Sequence, residues 1–311
     1  PEIKTYYDLR LIRKAGPKLV YAQFAGKTPL PANSGNSIEF RGFKDLDTNP
    51  ENAMLTEGKT PDGQNLVPYA IVAELISVGT YVSFSDIIML TAIDLKMKEI
   101  VDKLSNQASV ILDKLIRNTI ISHYEVGVTY AGRVDGLSKM SVANSKISVA
   151  DIRFLVNILK RVNAPTIDGM YPLVLHPDVV LDLQADEAYK EMHKYARPDN
   201  LFNGYVGDVA GARIYESTNV KISKYGDKAI YWCSIIAEGA YDTVSLEGGA
   251  LRTIIKPVGS SGSADPLEQR GSAGWKATTA TAVKVPEYIE TYACCASYNA
   301  VEDAEDEITA A

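Results

Sequence analysis

The segment spanning residues 26–85 constrains the fold more than any other part of the chain, because it is extended throughout and lies between two helical patterns. It opens with Gly26-Lys-Thr-Pro-Leu-Pro-Ala-Asn-Ser-Gly-Asn-Ser-Ile-Glu-Phe-Arg-Gly-Phe43, crosses a polar run, and ends in a strand of period two. In that strand Ile76, Val78, Thr80, Val82 and Phe84 share one face, and Ser77, Gly79, Tyr81 and Ser83 the other. Between Phe43 and Val67 there are too few apolar side chains for a core, and connections beyond about 12–15 residues are uncommon in compact domains unless functional or disordered. Pro61-Asp62-Gly63 marks a turn, since proline presets φ and glycine accepts positive φ. The segment reads as a two-stranded arm. A lone hairpin is marginal in water, so the arm is expected to become ordered by lying on another subunit.

Residues 1–25 carry a rough helical pattern broken by Gly16-Pro17 and are expected to form an N-terminal arm. After Ser85 the period changes: Met97, Val101, Leu104, Ala108, Ile111 and Leu115 recur at steps of four and three, which predicts one helix over about residues 92–124. Thr91 and Asp94 resemble its capping box. A helix of roughly 50 Å suits a girder along a flat molecule better than a packed element or a coiled-coil dimer. Ser148 is expected to cap a helix bearing Ile152, Leu155, Val156 and Leu159. Strands are expected at residues 171–176, 212–216, 229–236, 251–255, 275–285 and 288–295, with a helix from Pro177. The acidic tail, 301–311, is expected to be solvated or disordered. The order is that of an α+β protein.

Composition narrows the functional classes. The net charge of −7 argues against a basic nucleic-acid-binding surface. No apolar run reaches the ~18–20 residues that span a bilayer, and the first residues lack a signal-peptide core. Three cysteines, two of them adjacent (Cys294, Cys295), suit a reducing compartment and a buried strand pair rather than a disulfide framework. His123, His176 and His193 lie in separate segments, so no metal site is expected. Asp182, Asp186, Glu187 and Glu191 fit a solvated helix face, and Gly259-Ser-Ser-Gly-Ser263 lacks the phosphate-loop pattern. No nucleophile elbow or Ser/His/Asp order occurs. Neither catalysis nor a cofactor is expected.

Five ordered strings carry a resemblance. They are Thr28-Pro-Leu-Pro-x-Asn33-Ser-Gly-x-x-Ile38-Glu-Phe-Arg41, Leu55-Thr-Glu-Gly-x-Thr-Pro-Asp-Gly-Gln-Asn-Leu66 and Ser83-Phe-Ser-Asp86 before the long helix, then Gly211-Ala-Arg-Ile-Tyr-Glu-Ser-Thr-Asn219 and Ser263-Ala-Asp-Pro-Leu-Glu-Gln-Arg-Gly-Ser-Ala-Gly-Trp275. The chain resembles the major capsid proteins of tailed bacteriophages with the Hong Kong 97-type fold, and within them the phage N-four-like branch. The resemblance implies an E-loop at 26–85, a peripheral P domain at 86–162 with its spine helix, and an axial A domain at 163–257. Return strands at 258–300 would follow.

It further implies self-assembly into hexamers and pentamers of an icosahedral head that encloses double-stranded DNA without sequence-specific binding. Assembly would take place in the bacterial cytoplasm with portal and scaffolding proteins, and with a decoration protein as a further possible partner. A separate scaffold or its removal is expected, and covalent crosslinks are not. Glu39, Arg41, Glu57, Lys59, Pro61, Asp62 and Gln64 are the expected inter-subunit contacts, the first four as ion-pair partners. Asp199, Asn200, Asn203 and Gly207 are the expected capsomer-axis loop. An encapsulin-type compartment enclosing cargo enzymes is the alternative, and a soluble α+β hydrolase a third. The acidic balance fits an interior that does not grip DNA, since neutralised phosphates would bind strongly.

Overall fold

A computed structural model describes residues 19–31, 35–43, 46–54, 57, 63–86, 97–194, 207–246, 251–260, 266–267 and 269–308. The described residues build two sheets and one protruding hairpin. In the five-stranded sheet, β1 (Gly26–Leu30) lies parallel to β11 (Tyr241–Leu246), and β11 pairs with β13 (Arg270–Val283). The same edge of β13 takes β12 (Arg252–Lys256), and its other edge takes β4 (Ile76–Ser85). The hairpin is β2 (Ser37–Phe43) against β3 (Pro68–Glu74).

In the eight-stranded sheet β10 (Lys228–Ile236) is central. One of its edges holds β14 (Ile289–Cys294) and then β5 (Gly127–Tyr130). The other holds β9 (Lys221–Tyr225) and β6 (Tyr171–Leu175), followed by β8 (Ala212–Glu216) and β7 (Asp208–Val209). β15 (Asp306–Glu307) closes this sheet beside β9. Between residues 163 and 257, β6 to β10 join the larger sheet while β11 and β12 join the smaller.

The helices follow from their apolar spacing. α1 (Tyr21–Phe24) is short, and Tyr21, Phe24 and Ala25 are buried, so this end of the expected arm is built into the body. α2 (Met97–Ser122) is 26 residues, about 39 Å at 1.5 Å per residue. It stops short of the expected Tyr124, and the expected cap at Thr91 lies outside the described residues. Val101, Leu104 and Ala108 pack on Phe84, Ala273, Trp275 and Ala277 of the small sheet. Beyond them the buried face moves to Asp113, Ile116, Arg117 and Ile120, and Ile111 and Leu115 are only half-buried. A strict four-three repeat drifts relative to 3.6 residues per turn, and α2 leaves one core for the other at this point.

α3 (Val149–Arg161) carries the predicted cap. The Ser148 hydroxyl accepts from Asp151 N while the Asp151 carboxylate accepts from Ser148 N, a reciprocal capping box. Its Ile152, Leu155 and Leu159 pack with Val179 and Leu183 of α4 (Pro177–Ala185) and with the large sheet. Ser148→Ala is expected to lower stability by about 1 kcal/mol, read as a lowered denaturation midpoint. α5 (Glu187–Lys194) follows. The carboxylates expected to be solvated are partly engaged: Asp182 accepts from Ser297, and Asp186 from Val149 N and Ala188 N.

Candidate assembly surface

The hairpin is anchored by its own chain at both feet. β1 and β4 lie on opposite edges of the pair formed by β11 and β13, so segment 26–85 does not leave the body as one free arm. The Asp242 carboxylate accepts from Thr28 Oγ1 at 2.8 Å and pairs with Lys284 Nζ at 2.8 Å, and Lys284 also stands 5.2 Å from the Phe40 ring centroid. A Cβ on Gly26 would sit 2.1 Å from Asp242 Oδ1, so a larger residue there would displace that carboxylate. Ile38, Phe40, Ile71 and Leu75 then pack on Leu30, Ala73, Val244, Ala280 and Ala282. The expected dependence of the whole segment on a neighbour is thereby corrected. Its strands alternate apolar and polar residues closely enough to bury one face on the body's own sheet.

Beyond this anchored half the surface becomes apolar and open. Phe43, Met54, Leu66 and Val67 are exposed, with Phe43 at 62% and Met54 at 73%. Side chains of this kind clustered on one protrusion mark a surface that another molecule covers. The protrusion has internal order. Asp47 N donates to Gln64 Oε1 at 2.9 Å and Gln64 Nε2 donates to Asp47 O at 3.3 Å, across the two arms. The Tyr69 ring lies over Gly42, where a Cβ would come within 2.6 Å of it.

The expected contact residues divide accordingly. Glu39 and Arg41 face the same side of β2 and pair with each other at 2.9 Å. The hydrogen bond from Arg41 lowers the Glu39 pKa. The two are neighbours because i and i+2 of a strand share one face, and both side chains remain exposed on the hairpin. Gln64 likewise bonds within its own hairpin, and Glu57 is exposed at a turn. Lys59, Pro61 and Asp62 lie outside the described residues, as do Asp199, Asn200 and Asn203. Gly207 is buried at φ 58°, and its carbonyl accepts from Ile214 N.

A second feature joins four distant segments at α2. Arg117 is fully buried; Nη1 donates to Asn219 O at 2.5 Å, and Nη2 to Asn118 Oδ1 at 2.7 Å and to Glu305 Oε2 at 2.5 Å. Lys114 Nζ adds a bond to Glu305 Oε1 at 2.6 Å. One turn away the Asp113 carboxylate accepts from Tyr21 N and Asn219 Nδ2, both at 2.9 Å. Burial pushes the Asp113 pKa up, against those hydrogen bonds. The acidic tail is therefore docked, contrary to expectation: Lys221 and Lys224 also pair with Asp306 and Glu307 at 2.8 and 2.9 Å. The tail's charge count suggested solvation, but its partners lie far off in the chain, from Lys224 back to Lys114.

Burial raises the Glu305 pKa, but hydrogen bonds from Arg117 and Lys114 outweigh it and hold the carboxyl below its usual range. For Asp306, burial is likewise outweighed by bonds from Lys221 and Ser223. Both are depressed acids. Their stabilisation is present above the unfolded values near pH ~4 and is lost as pH falls through the folded ones. Acidification below about pH 4 is expected to undock residues 305–308, read as faster amide exchange at Glu305 and Ile308. Retained protection at about pH 2 would contradict this.

Cys233, Cys294 and Cys295 are free and buried, and burial pushes Cys295 up to about 11. Among the described residues no group of three or more His, Cys, Asp or Glu side chains could hold a metal ion, and no helix is long and apolar enough to cross a membrane.

No protein-family model and no curated protein matches the chain. Solved structures do. The capsid of Ralstonia phage GP4 superposes with TM-score 0.65 at 14% identity, covering 89% of this chain and 90% of that one. The head of Helicobacter pylori bacteriophage KHP40 superposes with TM-score 0.64 at 14% identity, covering 88% and 90%. The chain has the Hong Kong 97-type fold. A virus-like particle from Pyrococcus furiosus shares it with TM-score 0.56 at 12% identity, over 94% of this chain and 100% of that one. Within this Hong Kong 97-type fold the exposed hairpin and the helix-centred junction are the two features whose chemistry calls for explanation.

Proposed function

We propose that the chain is the major capsid protein of a tailed bacteriophage. Its copies form hexamers and pentamers of an icosahedral head around double-stranded DNA, its role is structural and it carries out no catalysis. The observation that carries this reading is the likeness over nearly the whole chain to shells from several phages. The exposed apolar hairpin supports it: such a surface on a molecule with two cores of its own suits contact between copies. Heterologous contacts closed into rings give a curved lattice.

In this reading the hairpin is the E-loop, and α2 the spine of the P domain. Residues 163–257 supply most of the A domain. Glu57, Lys59, Pro61, Asp62 and Gln64 lie at the hairpin end that meets the next subunit, and Asp199, Asn200 and Asn203 near the capsomer axis. Portal and scaffolding proteins, and a decoration protein, are the further partners, with assembly in the host cytoplasm. The five strings quoted above favour the N-four-like branch. The second reading, a compartment around cargo enzymes, is favoured by the likeness to the Pyrococcus furiosus particle, at a lower TM-score.

Electron microscopy and sedimentation of the purified protein test this. Closed shells filled with DNA are expected. Shells loaded with enzyme would favour the second reading. A 33.9 kDa monomer or its dimer at every concentration would overturn both.

A further inference from the structure

The structure places on α3 a cationic surface that neither composition nor the sequence pattern announced. The exposed arc of this helix carries Ala150, Arg153, Asn157, Lys160 and Arg161, and no carboxylate. The helix's one acid, Asp151, is buried in the capping box. Arg133 extends the arc from the preceding loop, its guanidinium 4.8 Å above the centroid of the Phe154 ring. None of Arg133, Arg153, Lys160 and Arg161 takes part in an ion pair among the described residues. The nearby Asp168 and Asp208 are both turned to Arg213. This occurs in a chain with 39 acidic against 32 basic residues. Lys160 and Arg161 alone would be ordinary complements to a helix C-terminus. Arg153, mid-helix, and Arg133, on another element, have no such explanation.

We infer that this arc binds the phosphate backbone of double-stranded nucleic acid without reading its sequence, and therefore faces the interior of the shell, an assignment that rests on the capsid reading above. Arg153 and Lys160 are seven residues apart, about 10 Å along the axis. B-DNA presents one charge per ~1.7 Å of its length, so each cation can meet its own phosphate. An acidic face of a second copy is the competing partner. A protein interface has an apolar or aromatic core ringed by polar groups. This arc offers only cations, an amide and a methyl group, which suffices for phosphate contacts and not for such a core. The expectation that the interior would avoid DNA is revised to a few weak contacts rather than a grip.

The test uses full-length protein below its assembly threshold with a fluorescent 30-base-pair duplex, followed by anisotropy across a salt series. With about three to four phosphates engaged, the logarithmic salt slope is expected near −3, an affinity loss of about 50-fold between 50 and 200 mM salt. Arg153→Gln with Lys160→Gln and Arg161→Gln is expected to flatten that slope by about 2–3. Arg252→Gln with Lys256→Gln and Lys276→Gln, the same charge change on exposed strand positions, is expected to leave it unchanged. Should the α3 triple variant lose its melting transition, Arg153→Gln alone should reduce the slope by about 1. Equal slopes in wild type and α3 variants, or equal losses in both triples, overturn the inference. So does absent wild-type duplex binding, including the case where the α3 triple instead abolishes shell formation. Shells are scored separately by electron microscopy: wild-type protein that binds duplex but forms no shell overturns the capsid reading and leaves phosphate binding standing.

Discussion

Replacing Phe43, Met54 and Leu66 together by serine is expected to abolish shell formation while leaving the isolated subunit folded. The three side chains are exposed on the protruding part of the hairpin, outside the cluster that anchors it. Exposed substitutions of this kind cost the monomer about 0.5 kcal/mol or less each. Full burial of such a side chain against another copy contributes about 1.5–3 kcal/mol. Three of them exceed about 4 kcal/mol per contact, and each 1.4 kcal/mol is about a factor of ten. The assembly threshold should therefore rise by at least about 100-fold, seen as slow-sedimenting protein where wild type yields closed shells. Normal shells at the wild-type threshold would remove the hairpin from the assembly contacts. The control is Ile38→Ser with Ile71→Ser, which strikes the anchored half and should lower the melting temperature of the subunit itself.

The second large effect concerns the junction at Arg117. Glu305→Ala strips the buried guanidinium of its carboxylate, and breaking a buried pair from one side costs about 3–5 kcal/mol. Glu305 is itself 31% exposed, so the lower end, about 3 kcal/mol, is the expected loss. At about 2–4 °C per kcal/mol the melting temperature should fall by roughly 6–12 °C. Arg117→Met combined with Glu305→Leu removes both charges and should recover most of that loss, because apolar replacement of an entire buried pair is often neutral. If the double variant is as unstable as Glu305→Ala, the ion pair is not what holds the tail. Amide exchange at Tyr21 offers an independent readout, since its N–H donates to Asp113 one turn away from Arg117.

Much of this architecture was legible in residue order, for reasons that differ from element to element. Ser148 and Asp151 announced the start of α3 because a capping box is a local device. The alternation from Ile76 to Phe84 announced β4, although α2 covers only part of that face: Phe84 is buried and Val78 half-buried, while Ile76 and Val82 are exposed. Val101, Leu104 and Ala108 marked the buried side of α2 over the small sheet. Where the pattern failed, the missing information was a distant partner. β3 was merged into the polar stretch because Tyr69, Ile71 and Ala73 gain their meaning only from Gly42, Phe40 and Ile38 opposite. The tail looked solvated because nothing near Glu305 in sequence reveals Arg117 and Lys114. The pairing of Glu39 with Arg41 was legible from their spacing of two, which places them side by side on a strand. The cations of α3 stand at i, i+7 and i+8 and were detectable by that spacing, but an acidic total charge drew attention away from them.

β4 keeps register with β13 from Ser85↔Arg270 to Ile76↔Thr279, and β1 keeps it with β11 from Gly26↔Asp242 to Leu30↔Leu246. The protrusion is thus held by two strips that cross the molecule side by side. Any force applied at its end is drawn lengthwise along those strips, where all the rungs must give way together, rather than peeling them open singly.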